Sequence, residues 1–309
     1  MLKKVFSLVL LGVCALGASG VAMTLDEALA LYQNDHIAVT FTDEGREQLL
    51  DIIATLRATL GVTDALNEEN EDRVMEFAVD ASLKDVVTKL SQAYYTLANV
   101  FYTPETNLPT YLKGKHWGLK SLRMNPGFVA IEGPRSGGKF TEAVEVETDV
   151  AAMYWTTANW LRVAQKDKLA AVFASVPAKT QALSERVLAL DPGYIAGGSY
   201  RSLGAYYSGL PATFGQDLPK ALENLCHVVT QPVCSACGDC QPAVAGADAY
   251  FENRTFLAEF YYMEKGMWVE AAALLEAVLA EPVGDMYPLM NAYAQWHAQS
   301  LLVTVRSHL

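Results

Sequence analysis

Apolar residues recur at a three-and-four spacing along most of the chain. In residues 42–61 the apolar positions are Leu49, Ile52, Ile53, Leu56 and Leu60. This spacing predicts an amphipathic helix with one buried face, which Gly61 can end. The same spacing resumes at Ser82 and predicts a second long helix, and the stretch TLDEALALY from Thr24 predicts a short N-capped helix.

Strand-like alternation is confined to two short stretches. These are HIAVTFT at residues 36–42 and FVAIE at residues 128–132. Because neither is long enough to build a sheet with a face of its own, the sequence predicts an all-α protein.

Four blocks of the chain share one layout. Each contains a helix rich in aromatic and small residues, a break, an Ala-rich helix and then a proline; the blocks lie near residues 88–126, 150–192, 198–232 and 250–282. The period resembles that of tetratricopeptide repeats, which pair two helices in about 34 residues. We therefore predict a single TPR-like α-solenoid with inserted loops over residues 23–309. An unrelated helical array is the alternative.

The N-terminus carries the pattern of a secretory signal peptide. Lys3 and Lys4 precede an apolar run and then small residues, so we place cleavage after Ala22 and residues 1–22 in the signal peptide. Cys14 follows Val13, where a lipoprotein signal needs a small residue. Periplasmic export is thus expected, with lipid anchoring at Cys14 or an uncleaved anchor as the alternatives.

A near-match to a nucleotide-binding loop lies at residues 133–140. Gly133, Gly138 and Lys139 have the spacing of a P-loop, but Phe140 stands where the motif needs a Ser or Thr to hold Mg²⁺. A hydroxyl is essential to that chemistry, and ATP is scarce outside the cytoplasm. We therefore interpret the stretch as a Gly/Pro turn between helical blocks.

Charge and composition exclude several classes of function. The formal net charge of −12 becomes −14 when the signal peptide is removed, and such a surface repels nucleic acid. The histidines are scattered, and no Ser/His/Asp order or carboxylate pair stands out. The sequence therefore predicts a non-enzymatic protein without cofactor or metal.

Four cysteines remain after the signal peptide: Cys226, Cys234, Cys237 and Cys240. In an oxidising compartment a cluster of this kind favours two disulfides, which would hold together the loop from Gln231 to Gly246. A metal site and free thiols are the alternatives. Three pairings are possible, and spacing does not choose among them.

An ordered set of short motifs resembles the TatT family, the T-components of tripartite ATP-independent periplasmic (TRAP) transporters. The motifs are the Ala-x-Tyr-Trp run at residues 152–155, the Gly-x-Tyr-Tyr run at 204–207, Leu210-Pro211, the turn at 215–218 and the stretch at 111–128. The likeness covers roughly residues 85–282. The Cys-rich insertion and the weak lipoprotein signal depart from it.

The resemblance implies an accessory protein that associates with the substrate-binding P-component. It further implies a homo-oligomer and a helical cavity that holds or passes a small organic, hydrophobic ligand. A general periplasmic TPR scaffold for protein–protein interaction or envelope assembly is the alternative function.

Two first helices of the repeats carry aromatic side chains mixed with arginine and asparagine. First helices line the concave face of such arrays, and this mixture suits an organic anion with an apolar body. The expected cavity-lining residues are Tyr154, Trp155, Asn159, Arg162, Tyr200, Arg201, Tyr206 and Tyr207. Repeat core is the alternative role of the aromatics, and an exposed helix face is that of Arg162 and Arg201.

Overall fold

The computed structural model describes residues 23–33, 35–134, 138–230, 236 and 244–309. The predicted signal peptide with Cys14 lies outside the described residues, as do Cys234, Cys237 and Cys240. Among the described residues no helix is long and apolar enough to cross a membrane.

Helices dominate the described chain, so the all-α prediction is confirmed. Helix α1 spans Leu25–Ala30, and Thr24 and Glu27 close a capping box at its start. The two-residue strands β1 (Tyr32–Gln33) and β2 (His36–Ile37) form an antiparallel hairpin. Strand pairing within residues 36–42 is therefore limited to His36 and Ile37.

Two further helices complete the N-terminal segment. Helix α2 (Asp43–Thr59) begins at its N-cap Thr42 and buries the apolar face that its spacing predicts, and α3 (Glu71–Glu76) follows. Helix α2 packs against the first helix of the first repeat and α3 packs against the second. The segment before the repeats is thus joined to them through a shared apolar core.

The repeat region is a succession of helical hairpins. Its helices are α4 (Lys84–Thr96), α5 (Leu108–Arg123), α6 (Pro126–Glu132), α7 (Phe140–Val144), α8 (Val150–Lys166), α9 (Lys168–Phe173), α10 (Val176–Leu190), α11 (Tyr194–Gly209), α12 (Leu218–Cys226), α13 (Glu252–Leu257), α14 (Trp268–Ala280) and α15 (Pro288–Arg306). The inserted elements of this succession are α6, α7 and α9.

Each first helix of a hairpin packs against its second helix and against the next first helix. Helix α8 contacts α4 on one side and α11 on the other, and α11 contacts α13. Small residues allow the close approach: a side chain on Gly204 would place its Cβ 2.5 Å from Cγ of Leu225 in α12. The first helices therefore form one continuous layer.

Two of the first helices end in π-helical turns, at Leu97–Phe101 after α4 and at Ala258–Met263 after α13. A π-helical turn inserts an extra residue into the helix and re-aims the side chains around it. The second of these turns forms part of the cleft described below.

The stretch at residues 128–132 is helical, which corrects the strand-like interpretation. Asn125 caps α6 by accepting hydrogen bonds from the backbone of Gly127 and Phe128, and Pro126 occupies the first turn. A local cap thus outweighs the β-branched residues of this short apolar run.

The C-terminal helix α15 closes the array and meets the N-terminal segment. The Phe41 ring contacts the rings of Phe101, Tyr293 and Trp296 at centroid distances of 6.1 to 6.2 Å. His36 stacks on Tyr250 at 5.3 Å. The two ends of the described chain are therefore joined by aromatic contacts.

Candidate cleft for an organic anion

A cleft opens between α8, α9, α10, α11 and the π-helical turn after α13. Most of its wall is apolar, and its cavity volume is about 90 Å³, which is room for several water molecules. Its principal lining side chains are Tyr95, Tyr154, Ala158, Leu161, Arg162, Val172, Arg201, Ala205, Tyr206, Phe256 and Phe260.

Arg201 is the most deeply buried charge in the cleft, with 3% of its surface exposed. Its guanidinium donates one hydrogen bond to Oδ1 of Asn253 and one to the hydroxyl of Tyr154, at 3.2 Å. It also lies over the Tyr250 ring, 4.3 Å from its centroid. All of these partners are uncharged.

Asn253 fixes the position of Arg201 through the backbone. Its Nδ2 donates to the carbonyl oxygens of Ala196 (3.0 Å) and Ala247 (2.8 Å) while its Oδ1 accepts from Arg201. Ala196 lies in a left-handed turn in which Ile195 and Ala196 have φ of 51° and 52°. Such a conformation is costly for residues with a Cβ, and Asn253 helps to hold it beside the cleft.

Arg201 stays charged despite its burial. Burial opposes the charged form, but Tyr154, Tyr250 and the carboxylate of Glu252 favour it more strongly, and the pKa of Arg201 is raised. Glu252 is itself buried and accepts a hydrogen bond from the Tyr250 hydroxyl at 2.7 Å. The Glu252 carboxylate therefore acts on Arg201 through space and does not form an ion pair with its guanidinium.

Tyr154 supplies a neutral hydroxyl at the same point. Burial raises its pKa to about 12, so the hydroxyl remains protonated at physiological pH. Because it accepts a hydrogen bond from Arg201, its own proton can be donated to an oxygen in the cleft.

Arg162 is the second guanidinium of the cleft and is half-buried. Its guanidinium donates a long hydrogen bond, 3.4 Å, to Oε1 of Gln165. It opposes the rise in pKa that burial causes in Tyr95, Tyr111 and Tyr293, so its charge reaches all three rings. Arg162 therefore lies where the cleft meets a cluster of tyrosines from α4, α5 and α15.

The described lining of the cleft carries only positive charge. Arg162, Arg201 and Lys168 line it, whereas no aspartate or glutamate of the described chain does. Neither guanidinium forms a salt bridge with a described residue, although the chain as a whole carries a net charge of −12. Buried arginines are ordinarily paired, so this arrangement is suited to bind an anion.

The structure places Trp155 and Asn159 in the helix interface instead of the cleft. Asn159 is 0% exposed and donates from Nδ2 to the carbonyl oxygens of Ser91 (3.1 Å) and Trp155 (2.9 Å). Trp155 is buried and donates to the Tyr194 hydroxyl at 3.2 Å. Although these residues share a helical stripe with Arg162, Asn159 packs on Gly114 of α5 and does not reach solvent.

Tyr200 and Tyr207 also lie away from the cleft. Tyr200 packs on the His227 ring at 4.5 Å, and Tyr207 meets Tyr206 at 4.9 Å and Lys220 at 5.3 Å. Tyr154, Arg162, Arg201 and Tyr206 do line the cleft. The alternative of an exposed helix face does not apply to Arg201, because Asn253 and the aromatic rings hold its buried guanidinium inside the protein.

Sequence reasoning missed Tyr95, Phe256 and Phe260 as lining residues. Tyr95 lies on the first helix of the first repeat, and Phe256 and Phe260 lie on that of the fourth. The repeat layout contained this signal, because equivalent faces of successive first helices converge on one surface.

Of the four cysteines that follow the signal peptide, Cys226 alone is among the described residues. Cys226, at the end of α12, is buried and disulfide-bonded. Its partner is not among the described residues, so the pairing of Cys234, Cys237 and Cys240 stays a prediction. The cluster belongs to an insertion between α12 and α13, and none of the described residues that line the cleft is a cysteine.

A comparison with protein families decides the identity of this helical array. The family of the TRAP transporter T-component (TAtT) matches residues 80–308, which begin just before α4 and include α15. The chain belongs to the TRAP transporter T-component family. The matched residues include every side chain named in the cleft, and the N-terminal segment with α1 to α3 precedes them. No curated protein matches the chain.

Proposed function

We propose that this T-component is a non-catalytic periplasmic protein that holds or passes a small organic anion on behalf of a TRAP transporter. Membership of the family supports a role in a TRAP system. The cleft supports the ligand class, because it combines apolar walls with two guanidinium groups that lack carboxylate partners among the described residues.

The observation that carries this proposal is that Arg201 is buried and charged but has no ion-pair partner among the described residues. A buried arginine held by neutral oxygens and an aromatic ring keeps a full positive charge directed at the cleft. A ligand carboxylate there would gain charge-assisted hydrogen bonds, and the Tyr154 hydroxyl can add another. Phe256, Phe260 and Tyr206 would enclose the apolar body of the ligand.

We propose that the partner of this chain is the substrate-binding P-component and that it docks beside α9. This short helix forms one wall of the cleft and exposes two apolar side chains, Leu169 at 53% and Phe173 at 82%. A protein that exchanges ligand with the cleft has to reach its mouth. An exposed apolar surface on the helix that forms a wall of the cleft is a suitable contact.

Ligand extraction tests the first part of the proposal. The protein is purified from its native cell envelope without denaturant and its bound small molecules are identified by mass spectrometry. We expect an organic acid in the wild type and its loss in Ser202→Phe, which fills the cleft from α11. Ser300→Phe, on the exposed face of α15, is the control and should retain the acid.

Co-purification tests the second part. Phe173→Ser should weaken capture of the P-component encoded with this chain, whereas Val303→Ser, which changes an equally apolar side chain that is 70% exposed on α15, should not. Equal capture by both variants would place the contact elsewhere. Light scattering of the same samples measures the oligomer that the family resemblance implies.

A further inference from the structure

Helix α9 separates the cleft from a second and larger cavity. This outer groove is lined by side chains of α5, α7, α8, α9 and α10 and has a volume of about 710 Å³. Ala164 of α8, Ala171 of α9 and Val176 of α10 line both cavities. The wall between the cleft and the outer groove is therefore one side chain thick at α9.

The two cavities lie on opposite faces of α9. Lys168 and Val172 line the cleft, whereas Ala170 and Phe173 line the outer groove. At about 100° per residue these two pairs lie on opposite sides of the helix axis. A displacement of α9 would therefore join the cleft to the outer groove.

Few contacts hold α9 in this position. Among the described helices that line the cleft, α9 alone has no buried residue. Its principal contacts are with α8 and α10, the helices that precede and follow it in the chain. Lys168, its one polar side chain, forms no hydrogen bond or ion pair with a described residue. A segment with so little buried surface opens at low cost in free energy.

Irregular backbone lies at both ends of α9. Asp167, between α8 and α9, has φ of −143° and ψ of 85°. Ser175, between α9 and α10, has φ of 57°, in the left-handed region that a residue with a Cβ seldom adopts. Both positions break the helical path, so α9 can turn about its two ends while α8 and α10 stay in place.

Lys179 of α10 holds the second end of α9. Its Nζ donates a hydrogen bond to the carbonyl oxygen of Ala174 at 3.1 Å. The same ammonium lies over the rings of Trp160 and Phe140, 5.7 and 5.9 Å from their centroids. Lys179 lines the outer groove and is not among the residues that line the cleft.

The cleft with α9 in place has room for about four non-hydrogen atoms of a ligand. An apolar cavity of about 150 Å³ holds one molecule of benzene, and the cleft has a volume of about 90 Å³. Acetate fits this space, and hexanoate is about twice as large. A longer acid therefore needs one wall of the cleft to move.

We propose that α9 is a gate that decides which organic acids the cleft admits, and that Lys179 is its latch. An acid of the size of acetate binds with the gate closed. A longer acid binds when α9 turns away and its chain extends from the cleft towards the outer groove. Breaking the latch lowers the free energy of opening, so that longer acids bind more tightly. The gate rests on the proposed function of the cleft.

Titration of the purified protein with acetate and with hexanoate tests the gate. Lys179→Met keeps the aliphatic stem, removes the ammonium and changes no residue of the cleft lining. We expect Lys179→Met to bind hexanoate about three- to tenfold more tightly than the wild type and acetate with unchanged affinity. Lys220→Met is the matched control and should change neither affinity, since Lys220 also lies over a ring, that of Tyr207 at 5.3 Å, and does not line the cleft.

Amide hydrogen exchange follows the gate without any ligand. The amides of Ala171 and Ala174 donate to the carbonyl oxygens of Asp167 and Ala170 at 3.0 Å. They should exchange faster than the amides within α8, and faster again in Lys179→Met. The amides within α10 should exchange alike in both proteins, which shows that the substitution leaves the fold intact.

The outcomes separate the gate from the anion site. Hexanoate affinity that Lys179→Met leaves unchanged or weakens would overturn the gate and leave the anion site intact. Equal tightening of acetate and hexanoate would also overturn it, because the effect would not depend on the length of the acid. Failure of both acids to bind the wild type would overturn the proposed function. The exchange rates would then decide the gate alone, and equal rates at Ala171 and Ala174 in the wild type and in Lys179→Met would overturn it too.

Discussion

The guanidinium of Arg201 lies over the Tyr250 ring, 4.3 Å from its centroid, and no carboxylate among the described residues forms an ion pair with it. Tyr250 in turn stacks on His36 of the N-terminal hairpin. A cation held in this way costs desolvation energy that an ion pair would ordinarily offset. The cost is understandable if a ligand supplies the missing negative charge.

Packing between α11 and α12 makes Gly204 sensitive to substitution. Gly204→Leu should lower the free energy of unfolding by about 2 to 3 kcal/mol, because the first added carbon would lie 2.5 Å from Cγ of the buried Leu225. Gly209→Leu, five residues further along the same helix, is the control: its Cβ meets no atom within 4 Å. Urea denaturation of both variants measures the difference. Equal stabilities would contradict the helix pairing described here.

Lys139 should tolerate removal of its side chain. It is 66% exposed and pairs with Glu142 at 3.0 Å on the surface, while Phe140 beside it is buried. We expect Lys139→Ala to change the free energy of unfolding by less than about 0.5 kcal/mol and to leave nucleotide affinity as negligible as in the wild type. Tight ATP binding by the wild type that the substitution abolishes would restore the P-loop interpretation.

Much of this architecture could be predicted because helical spacing repeats over long segments. The predicted helix in residues 42–61 is confirmed, and so is the capped turn at Thr24, since both depend on local signals. The strand-like interpretation of residues 128–132 is wrong because a capping asparagine favours a helix in a short apolar run more strongly than branched side chains favour a strand.

The candidate site was less accessible from sequence. Spacing places Asn159 and Arg162 on one stripe of α8, but it does not show that Gly114 of α5 closes over Asn159 or that the stripe opens only at Arg162. The sequence assigns Arg201 to the cavity lining, with an exposed helix face as the alternative, but it does not show that the side chain is buried against Asn253, which lies 52 residues away in sequence. Contacts between distant repeats thus decide which polar residues face the cleft.

His36 should make stability depend on acid pH. It is buried between Tyr250 and Tyr287, and burial followed by the charge of Arg201 lowers its pKa to about 3. The unfolded chain therefore binds a proton on this histidine near pH 6.5, whereas the folded chain does not. The contribution of His36 to the free energy of unfolding is fully present above pH 6.5. It is lost as the pH falls towards 3, and the loss is about 3 to 5 kcal/mol.

The variant His36→Phe isolates this contribution. It keeps a ring between Tyr250 and Tyr287 and removes the titrating group, so its stability should fall less than that of the wild type between pH 6.5 and pH 4. Urea denaturation at both pH values gives the comparison. Parallel losses in the two proteins would show that acid destabilisation arises at other groups, such as His116, whose pKa burial lowers to about 4.

The most direct test of an anion-binding cleft is a calorimetric comparison of hexanoate with hexanamide at pH 6.5, since the two differ in charge and have the same apolar body. We predict that the wild type binds hexanoate at least about tenfold more tightly, because a charge-assisted hydrogen bond contributes about 1.5 to 3 kcal/mol. Arg162→Gln should lose most of this preference. Arg186→Gln should keep it, since Arg186 bonds to the Glu147 carbonyl outside the cleft. Equal affinities of the wild type for the acid and the amide would contradict the account.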